Sequence, residues 1–290
     1  MPDQHNVLLL AGQNGSKSTF IGALYKHLYS DDSTTVTYRG VEGNVADEFE
    51  DGVIASMMKR KEYPGQTDEP YVVQLEFGGK SKFSKNITID FIDIPGEQIN
   101  DVLQPVLSDI KRGNINYDDE KKKYEQKVEP KFGGNQVISD DEWKTVFKHY
   151  YGQATKVIFL LNYYKLGNIG EDPTYDLNVL EQTAEDKVET ALIATAVDLL
   201  SYDPDKNLKT NWRPGGQWKD KDLLTHMQKA INPAVSGRGA TLLSNMDQSI
   251  QFDFFGVAVP ADSAKSDNLS RDGGSFETRG FNNVKTWLKR

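Results

Sequence analysis

A short apolar run leads directly into a glycine-rich turn and then into a helix, and few folds accommodate this order. Residues 7–11 read Val-Leu-Leu-Leu-Ala, residues 12–15 read Gly-Gln-Asn-Gly, and residues 19–25 carry a helical pattern. A continuous apolar run of this length is typical of a strand that is buried on both faces of a sheet. We therefore predict a strand–turn–helix unit of a parallel sheet in this part of the chain.

Strand and helix patterns alternate along the rest of the sequence, which favours an α/β fold with a mostly parallel sheet and helices on both faces. The segments 71–77 and 87–92 flank a glycine-containing loop and are expected to form an antiparallel hairpin, so the sheet should contain one antiparallel strand. Further strands are predicted at residues 156–161, 191–196 and 252–259.

No internal repeat or clear linker divides the sequence, so residues 1–290 are expected to form a single domain. Two stretches, at about 98–150 and 201–250, are expected to be helical and loop elaborations of that domain. The charge run 118–123 is expected to be a solvated face or loop. Helices are predicted near residues 46–61, 221–231 and 281–288, with a polar stretch before the first of them and a long loop at 202–222.

The composition excludes several classes of function. The formal net charge is −9, so the chain lacks the basic excess of a general nucleic-acid or anionic-membrane binder, and an anionic ligand must be held by a local site. The absence of cysteine excludes disulfides, thiolate zinc sites and cysteine nucleophiles. No apolar run is long enough to span a membrane and no secretion signal is recognisable, so we expect a soluble, cytoplasmic protein.

A lysine and two hydroxyl residues follow the glycine-rich turn at the start of the predicted helix, which is the arrangement that binds phosphate. Loop amides and the helix N-terminus point at the anion, the lysine reaches the outer phosphates, and the hydroxyl binds Mg²⁺. The candidate nucleotide-binding residues here are Gly12, Gln13, Asn14, Gly15, Ser16, Lys17, Ser18 and Thr19.

The match to the pattern G-x-x-x-x-G-K-[ST] is incomplete. Ala11 and Ser16 occupy the two glycine positions, unless the loop is one residue shorter and starts at Gly12. Ser16 matters more, because the backbone before the lysine passes close to the phosphate and a side chain there crowds it. The alternative is a turn that merely caps a helix, with Ser16 or Ser18 as the N-cap residue.

A second candidate site lies where the strand 87–92 ends in Asp93-Ile94-Pro95-Gly96-Glu97. Asp93 is a candidate Mg²⁺ ligand, usually through water, and the Gly96 amide is a candidate contact for a γ-phosphate. A single Asp-x-x-Gly is also an ordinary turn after a strand. Its place after the phosphate loop, at the end of the second hairpin strand, favours the joint interpretation.

With these motifs in this order, the chain resembles a Ras-like (TRAFAC-type) P-loop GTPase, and the resemblance implies a three-layer P-loop fold. Thr67 stands where the family has a Mg²⁺-binding threonine before the hairpin. Thr195 and Asp198 match the family's [NT]-K-x-D motif, although Ala196 replaces its lysine. The family's Ser-Ala-Lys motif is matched by Ser263, Ala264 and Lys265 after the last predicted strand. Within the family, three motifs most resemble the prokaryotic double-GTPase-type group: Pro-Gly-x-Thr ahead of the hairpin, Asp-x-Pro-Gly-Glu after it, and Asn-Val-x-x-Trp-Leu in the last helix.

The resemblance implies a guanine-nucleotide-binding protein that hydrolyses GTP to GDP slowly, with Mg²⁺, and acts as a molecular switch. Asp198 would accept the two adjacent donors of guanine, and the Ala264 amide would contact its carbonyl oxygen. Lys17, Thr67 and Glu97 are the expected catalytic positions, Glu97 standing where Ras proteins have glutamine. Ser18, Thr67 and Asp93 are the expected Mg²⁺ ligands. Neither candidate arginine finger is convincing, because Arg39 and Arg60 are both expected to be surface residues.

The expected switch segments are the surroundings of Thr67 and residues 96–112, and the region 98–150 is a candidate surface for an effector or for self-association. Two alternatives remain. The chain is a degenerate GTPase-fold interaction module that binds nucleotide statically or not at all, for which Ala11, Ser16 and Ala196 are the evidence. Otherwise it is a P-loop ATPase or kinase of another class, in which case the match at Asp198 is accidental.

Overall fold

The predicted α/β architecture is present in the computed structural model of the chain. The residues that it describes are 5–11, 16–43, 46–65, 69–79, 87–93, 99–133, 136–162, 189–197, 204–205, 222–223, 253–262, 268–272 and 275–290. They form a three-layer α/β fold in which helices pack on both faces of a central sheet.

The central sheet has seven strands in the order β2-β3-β4-β1-β5-β6-β7. These strands are β1 (His5–Ala11), β2 (Thr34–Gly43), β3 (Tyr71–Gly79), β4 (Ile87–Asp93), β5 (Lys156–Asn162), β6 (Glu189–Thr195) and β7 (Asp253–Gly256). Strand β3 runs antiparallel to both of its neighbours, and the other pairs are parallel. The prediction of a mostly parallel sheet with one antiparallel hairpin strand is therefore confirmed. A short ribbon of β8 (Arg271–Asp272) and β9 (Ser275–Phe276) lies outside this sheet.

The strand order reverses around β1, which lies between β4 and β5. Because β1, β4, β5 and β6 are parallel, their carboxyl ends meet at one edge of the sheet. In open α/β sheets the ligand crevice lies outside the carboxyl ends of the strands, at such a reversal. The fold thus places the residues that follow β1 and those that end β4, β5 and β6 around one location.

Helices cover both faces of the sheet. They are α1 (Lys17–Tyr29), α2 (Ala46–Arg60), α3 (Ile99–Lys111), α4 (Tyr117–Lys123), α5 (Tyr124–Val128), α6 (Glu129–Gly133), α7 (Asp140–Gln153) and α8 (Phe281–Lys289). Helices α2 and α5 have the wider hydrogen-bonding pattern of a π-helix. Helices α1, α2 and α8 pack on one face of the sheet, and α3, α5 and α7 pack on the other.

The continuously apolar sequence of β1 is explained by the burial of both faces of this strand. Leu8 and Leu10 point into the core beneath α3 and α7, whereas Val7, Leu9 and Ala11 point into the core beneath α1, α2 and α8. None of the five is more than 2% exposed. A strand that is buried on both faces carries no polar alternation, as the sequence pattern predicts.

The polar stretch before α2 is in fact an edge strand, β2. Thr35, Thr37 and Arg39 are exposed on one of its faces, while the half-buried Val36 and Tyr38 pack against the core on the other. The sequence analysis missed this strand because its outer face is polar. The alternation of threonine with β-branched and aromatic residues was the available signal.

Most of the remaining predicted elements are confirmed. Helices are present at Ala46–Arg60 and Phe281–Lys289, the region 98–150 is helix-rich, and the charge run lies on α4, which has no buried residue. The helix predicted near 221–231 and the loop at 202–222 lie outside the described residues, apart from positions 204–205 and 222–223. Within the described part of the chain, no helix is both long and apolar enough to cross a membrane. The single-domain assignment stays a prediction.

Candidate functional site

Helix α1 begins at the carboxyl edge of the sheet with an unusual N-cap residue, Ser16. Its backbone lies in the left-handed region, with φ 61° and ψ 30°, and its carbonyl accepts a 2.9 Å hydrogen bond from the Phe20 amide. A serine N-cap normally has an extended backbone and accepts a first-turn amide with its hydroxyl. The Ser16 side chain makes no such bond within the described structure, and its Oγ accepts a 3.2 Å hydrogen bond from Asn162 Nδ2. The simple capping interpretation of Ser16 is therefore not supported.

The first turn of α1 is suited to an anion. It carries no acidic side chain, and Lys17 contributes a positive charge there. The first amides of a helix lack partners within the helix, and the helix dipole places partial positive charge at this end. Both effects favour a negatively charged group next to residues 16–19.

Lys17 and Ser18 converge on a buried carboxylate from β4. Lys17 Nζ lies 3.4 Å from Asp93 Oδ1, and Ser18 Oγ donates a 2.7 Å hydrogen bond to Asp93 Oδ2. Asp93 is only 1% exposed. A buried carboxylate is costly unless it is paired and hydrogen-bonded, and here an ammonium group and a hydroxyl supply the compensation. The two motifs that the sequence analysis combined are thus brought together by the fold.

A third donor to Asp93 comes from Tyr71, a residue that the sequence analysis did not select. Tyr71 is fully buried at the start of β3, directly opposite Asp93 in the hairpin register, and its hydroxyl lies 3.3 Å from Asp93 Oδ2. Burial, followed by the neighbouring Asp93 charge, raises the pKa of Tyr71 well above its usual range, so the phenol remains a donor. The hairpin register would have revealed this pair, because facing positions are cross-strand neighbours.

The donor set of this cluster fits Mg²⁺. A hydroxyl oxygen and a carboxylate oxygen, 2.7 Å apart in Ser18 and Asp93, are the hard ligands that this ion prefers. Among the described residues, no group of three or more His, Asp or Glu side chains could hold a metal alone. Mg²⁺ commonly binds through one or two protein oxygens together with waters and substrate phosphates, so one carboxylate beside a helix terminus that favours anions is compatible with this ion.

The end of β6 lies two strands from β1 in the sheet. Thr195 is buried, with its hydroxyl 3.5 Å from the Leu161 carbonyl oxygen, and Ala196 has a left-handed backbone with φ 58°. Asn162 of β5 is the register partner of Thr195. The candidate base-recognition segment therefore starts from the same edge of the sheet as the candidate phosphate-binding segment.

Several predicted site residues lie outside the described residues, so their roles stay predictions. These residues are Gly12, Gln13, Asn14, Gly15, Thr67, Gly96, Glu97, Asp198, Ser263, Ala264 and Lys265. The chain just before Thr67 and the chain that flanks residues 263–265 are adjacent, since the Leu269 amide donates a 2.7 Å hydrogen bond to the Lys61 carbonyl.

Both candidate arginines have partners on the protein surface. Arg60 contacts the Asp51 carbonyl and the Ser56 hydroxyl within α2, and its Nε lies 3.5 Å from a carboxylate oxygen of Glu62. Arg39 Nε donates a 2.7 Å hydrogen bond to the Gln74 side chain at the β2 edge. Their side chains are 51% and 65% exposed. These contacts agree with the expectation that both are surface residues.

Comparisons with known proteins place this chain near GTPase structures only at low similarity. No protein-family model and no curated protein matches the sequence. The complex of the signal recognition particle receptor SRb–GTP with SRX from Chaetomium thermophilum is 12% identical, with 91% of this chain and 94% of that chain covered and a TM-score of 0.35.

Two structures of the Ski7 GTPase-like domain of S. cerevisiae give similar values. One is bound to GDP and inorganic phosphate and the other to GTP, and they are 13% and 12% identical, with TM-scores of 0.40 and 0.39. In each case 99% of this chain aligns with 50% of the Ski7 chain, so this chain spans half the length of those structures. These similarities are too weak to transfer a function to this chain.

Proposed function

We propose that this protein binds a guanine nucleotide with Mg²⁺ and acts as a slow GTP-hydrolysing molecular switch. The observation that carries the proposal is the convergence of Lys17 and Ser18 on the buried Asp93 at the carboxyl edge of the sheet. A lysine, a hydroxyl and a carboxylate beside a helix N-terminus combine an anion site with a Mg²⁺ site. A nucleoside phosphate that binds together with Mg²⁺ uses both kinds of site.

The residues of the cluster have two proposed roles, phosphate binding and Mg²⁺ binding. The α1 amides and Lys17 neutralise phosphate oxygens, and Ser18 and Asp93 hold the metal, with Thr67 as a third proposed ligand. When bound, Mg²⁺ supplies positive charge that offsets the charge of the phosphate groups. The glycine-rich residues 12–15 complete the phosphate contacts in this proposal, and Gly96 contributes an amide to the γ-phosphate.

Guanine selectivity is assigned to the two segments that follow β6 and β7. Asp198 accepts the N1–H and 2-amino groups of guanine, whereas adenine offers an acceptor at N1 and no 2-amino group. A buried acceptor left without its donors costs several kcal/mol, which corresponds to a preference of about 10³. The Ala264 amide reads the carbonyl of the base, with Thr195 and Ser263 supporting these segments, and Lys265 covers the base where Ala196 lacks a long side chain.

Slow turnover follows from the groups around the γ-phosphate. Glu97 orients the attacking water, but its negative charge near the phosphate is unfavourable. An arginine finger is worth roughly 10³–10⁵ in rate, and both Arg39 and Arg60 are engaged elsewhere on the surface. Slow turnover is typical of a switch, and we place the protein in the cytoplasm and in the double-GTPase-type group. In this proposal an effector or a second copy of the chain binds the region 98–150.

One observation favours the degenerate alternative. Lys17, the residue that must contact phosphate, is ion-paired with Asp93 in this structure. If this ion pair is a permanent structural contact, the fold is an interaction module that does not bind nucleotide.

The test is a titration of fluorescent GTP and ATP analogues with Mg²⁺ into the wild-type protein and Lys17→Ala. Lys122→Ala on α4 is the matched control, because Lys122 is 68% exposed and pairs only at the surface with Asp119. Guanine-selective binding that is lost in Lys17→Ala and kept in Lys122→Ala supports the proposal. Absence of binding by the wild type favours the degenerate module, and binding of ATP as tightly as GTP favours an ATPase.

A further inference from the structure

We propose that Asn162 is a positioning residue that holds Ser16 in its left-handed conformation and so keeps the N-terminus of α1 open to phosphate. This inference rests on the proposed function, because the anion concerned is the nucleotide phosphate. It assigns a role to a residue outside the phosphate loop and outside the motifs of the sequence analysis.

Ser16 adopts a backbone conformation that glycine would adopt without cost. Its φ of 61° lies in the left-handed region, which L-residues with a Cβ atom disfavour. A serine that precedes a helix gains more from an extended backbone, in which its hydroxyl accepts a first-turn amide. Such a hydroxyl occupies one of the amides that the phosphate needs. The serine therefore requires a partner elsewhere if the helix terminus is to stay open.

Asn162 is placed to be that partner. It is the last residue of β5, and its Nδ2 donates the 3.2 Å hydrogen bond to Ser16 Oγ. The strand that carries it is held on both sides, by β1 through the pair Ala11 and Leu160 and by β6 through Thr195. A donor on a fixed strand end directs the Ser16 hydroxyl toward β5, whereas the capping geometry would direct it toward the amides of α1.

The position of Ser16 in the chain makes this contact consequential. Ser16 is immediately followed by Lys17 and Ser18, which contact Asp93. A change in the Ser16 backbone therefore moves the first turn of α1, and with it the two side chains that face the proposed Mg²⁺ and phosphate. In this proposal Asn162 acts on these groups through its hydrogen bond to Ser16.

The test is a double-mutant cycle of Asn162→Ala and Ser16→Gly, read out as the affinity for a fluorescent GTP analogue with Mg²⁺. In the Ser16 background, loss of one hydrogen bond should weaken binding by about three- to tenfold. In the Ser16→Gly background, Asn162→Ala should change the affinity less than twofold, because glycine has no hydroxyl to hold and no left-handed strain. Ser16→Gly alone should bind at least as tightly as the wild type.

Two controls separate this role from general destabilisation. Asn116→Ala makes the same chemical change at the N-cap of α4, away from the site, and should leave the affinity unchanged in both backgrounds. Thermal unfolding of all variants shows whether each one is folded. A purely structural Asn162 would lower the unfolding temperature in both backgrounds and leave the affinity unchanged, which overturns the proposal.

The remaining outcomes are also decisive. Equal weakening of binding by Asn162→Ala in both backgrounds shows that Asn162 acts independently of Ser16, and it overturns this inference while the proposed function stands. If neither the wild type nor Ser16→Gly binds the GTP or the ATP analogue, the proposed function and the phosphate role of Asn162 both fail.

Discussion

Replacing Asp93 with asparagine should have opposite effects on nucleotide affinity in the two metal conditions. Compared with the wild type, Asp93→Asn should bind nucleotide more tightly in metal-free solution and more weakly in the presence of Mg²⁺. The substitution keeps the shape of the side chain but removes its charge. In the structure that charge is shared between Lys17 Nζ at 3.4 Å and the hydroxyls of Ser18 and Tyr71 at 2.7 and 3.3 Å. In the proposed site, the carboxylate would therefore compete with phosphate for Lys17 in the absence of metal and would help to bind the metal when it is present.

The magnitude follows from the geometry of the ion pair. Two unit charges 3.4 Å apart attract by about 5 kcal/mol at an effective dielectric constant of about 20. The cost of desolvating the pair offsets most of this energy, so we expect Asp93→Asn to strengthen metal-free binding by about 1–2 kcal/mol, or roughly 5- to 30-fold. With Mg²⁺, loss of the carboxylate should weaken binding by about 10- to 100-fold, the usual effect of removing a group that supports a metal.

The assay is a titration of a fluorescent GTP analogue in excess Mg²⁺ and in EDTA. Asp90→Asn is the matched control, because Asp90 lies in the same strand and is equally buried but hydrogen-bonds to Gln74. It should leave the ratio of the two affinities unchanged. If Asp93→Asn weakens binding by the same factor with and without Mg²⁺, Asp93 has only a structural role and the reasoning is refuted.

Two further predictions concern stability. Burial raises the pKa of Asp90 from 3.8 to about 6, offset in part by Gln74 and Arg39, so the folded state binds this proton more tightly than the unfolded state. The contribution of Asp90 to folding stability is therefore present below about pH 4 and is lost as the pH rises through about 6. Asp90→Asn should remove about 3 kcal/mol of this pH dependence from the free energy of unfolding, as measured in urea. Gly280→Ala should cost more than about 2 kcal/mol, because φ is 80° and the new Cβ would lie 2.3 Å from the Gly256 carbonyl oxygen. Gly113→Ala, with φ 64° in open space, should cost only about 1 kcal/mol, and equal costs would contradict this reasoning.

The central strands were predicted well from the sequence because strands that are buried on both faces must be apolar throughout. A run such as residues 7–11 is apolar on both faces, and only a central position in a sheet covered by helices buries it. The edge strand β2 was missed because one of its faces meets water and tolerates polar residues such as Thr37. The π-helical hydrogen bonding of Ala46–Arg60 was also not predicted, since helices of this type are rare and the sequence pattern was interpreted only as a helix.

The part of the site that was predictable consists of residues placed at or just after the ends of strands. Lys17, Ser18 and Asp93 were selected as two separate motifs, and parallel pairing of β1 with β4 brings them together. Tyr71 and Asn162 were missed because their roles depend on register and side-chain direction. No local pattern distinguishes a tyrosine that faces a buried carboxylate from one that fills a core.

The two departures from the phosphate-loop pattern have different physical consequences. Ala11 is the last residue of β1, where it pairs with Leu160 and its methyl group packs in the core, so that position has no need of a glycine. Ser16 occupies a left-handed backbone, where a Cβ atom is costly and the Asn162 hydrogen bond offsets part of that cost. Of the two lost glycines, only the second is therefore expected to affect the proposed nucleotide binding. A gain in affinity confined to Ser16→Gly, with none in Ala11→Gly, would follow from this difference.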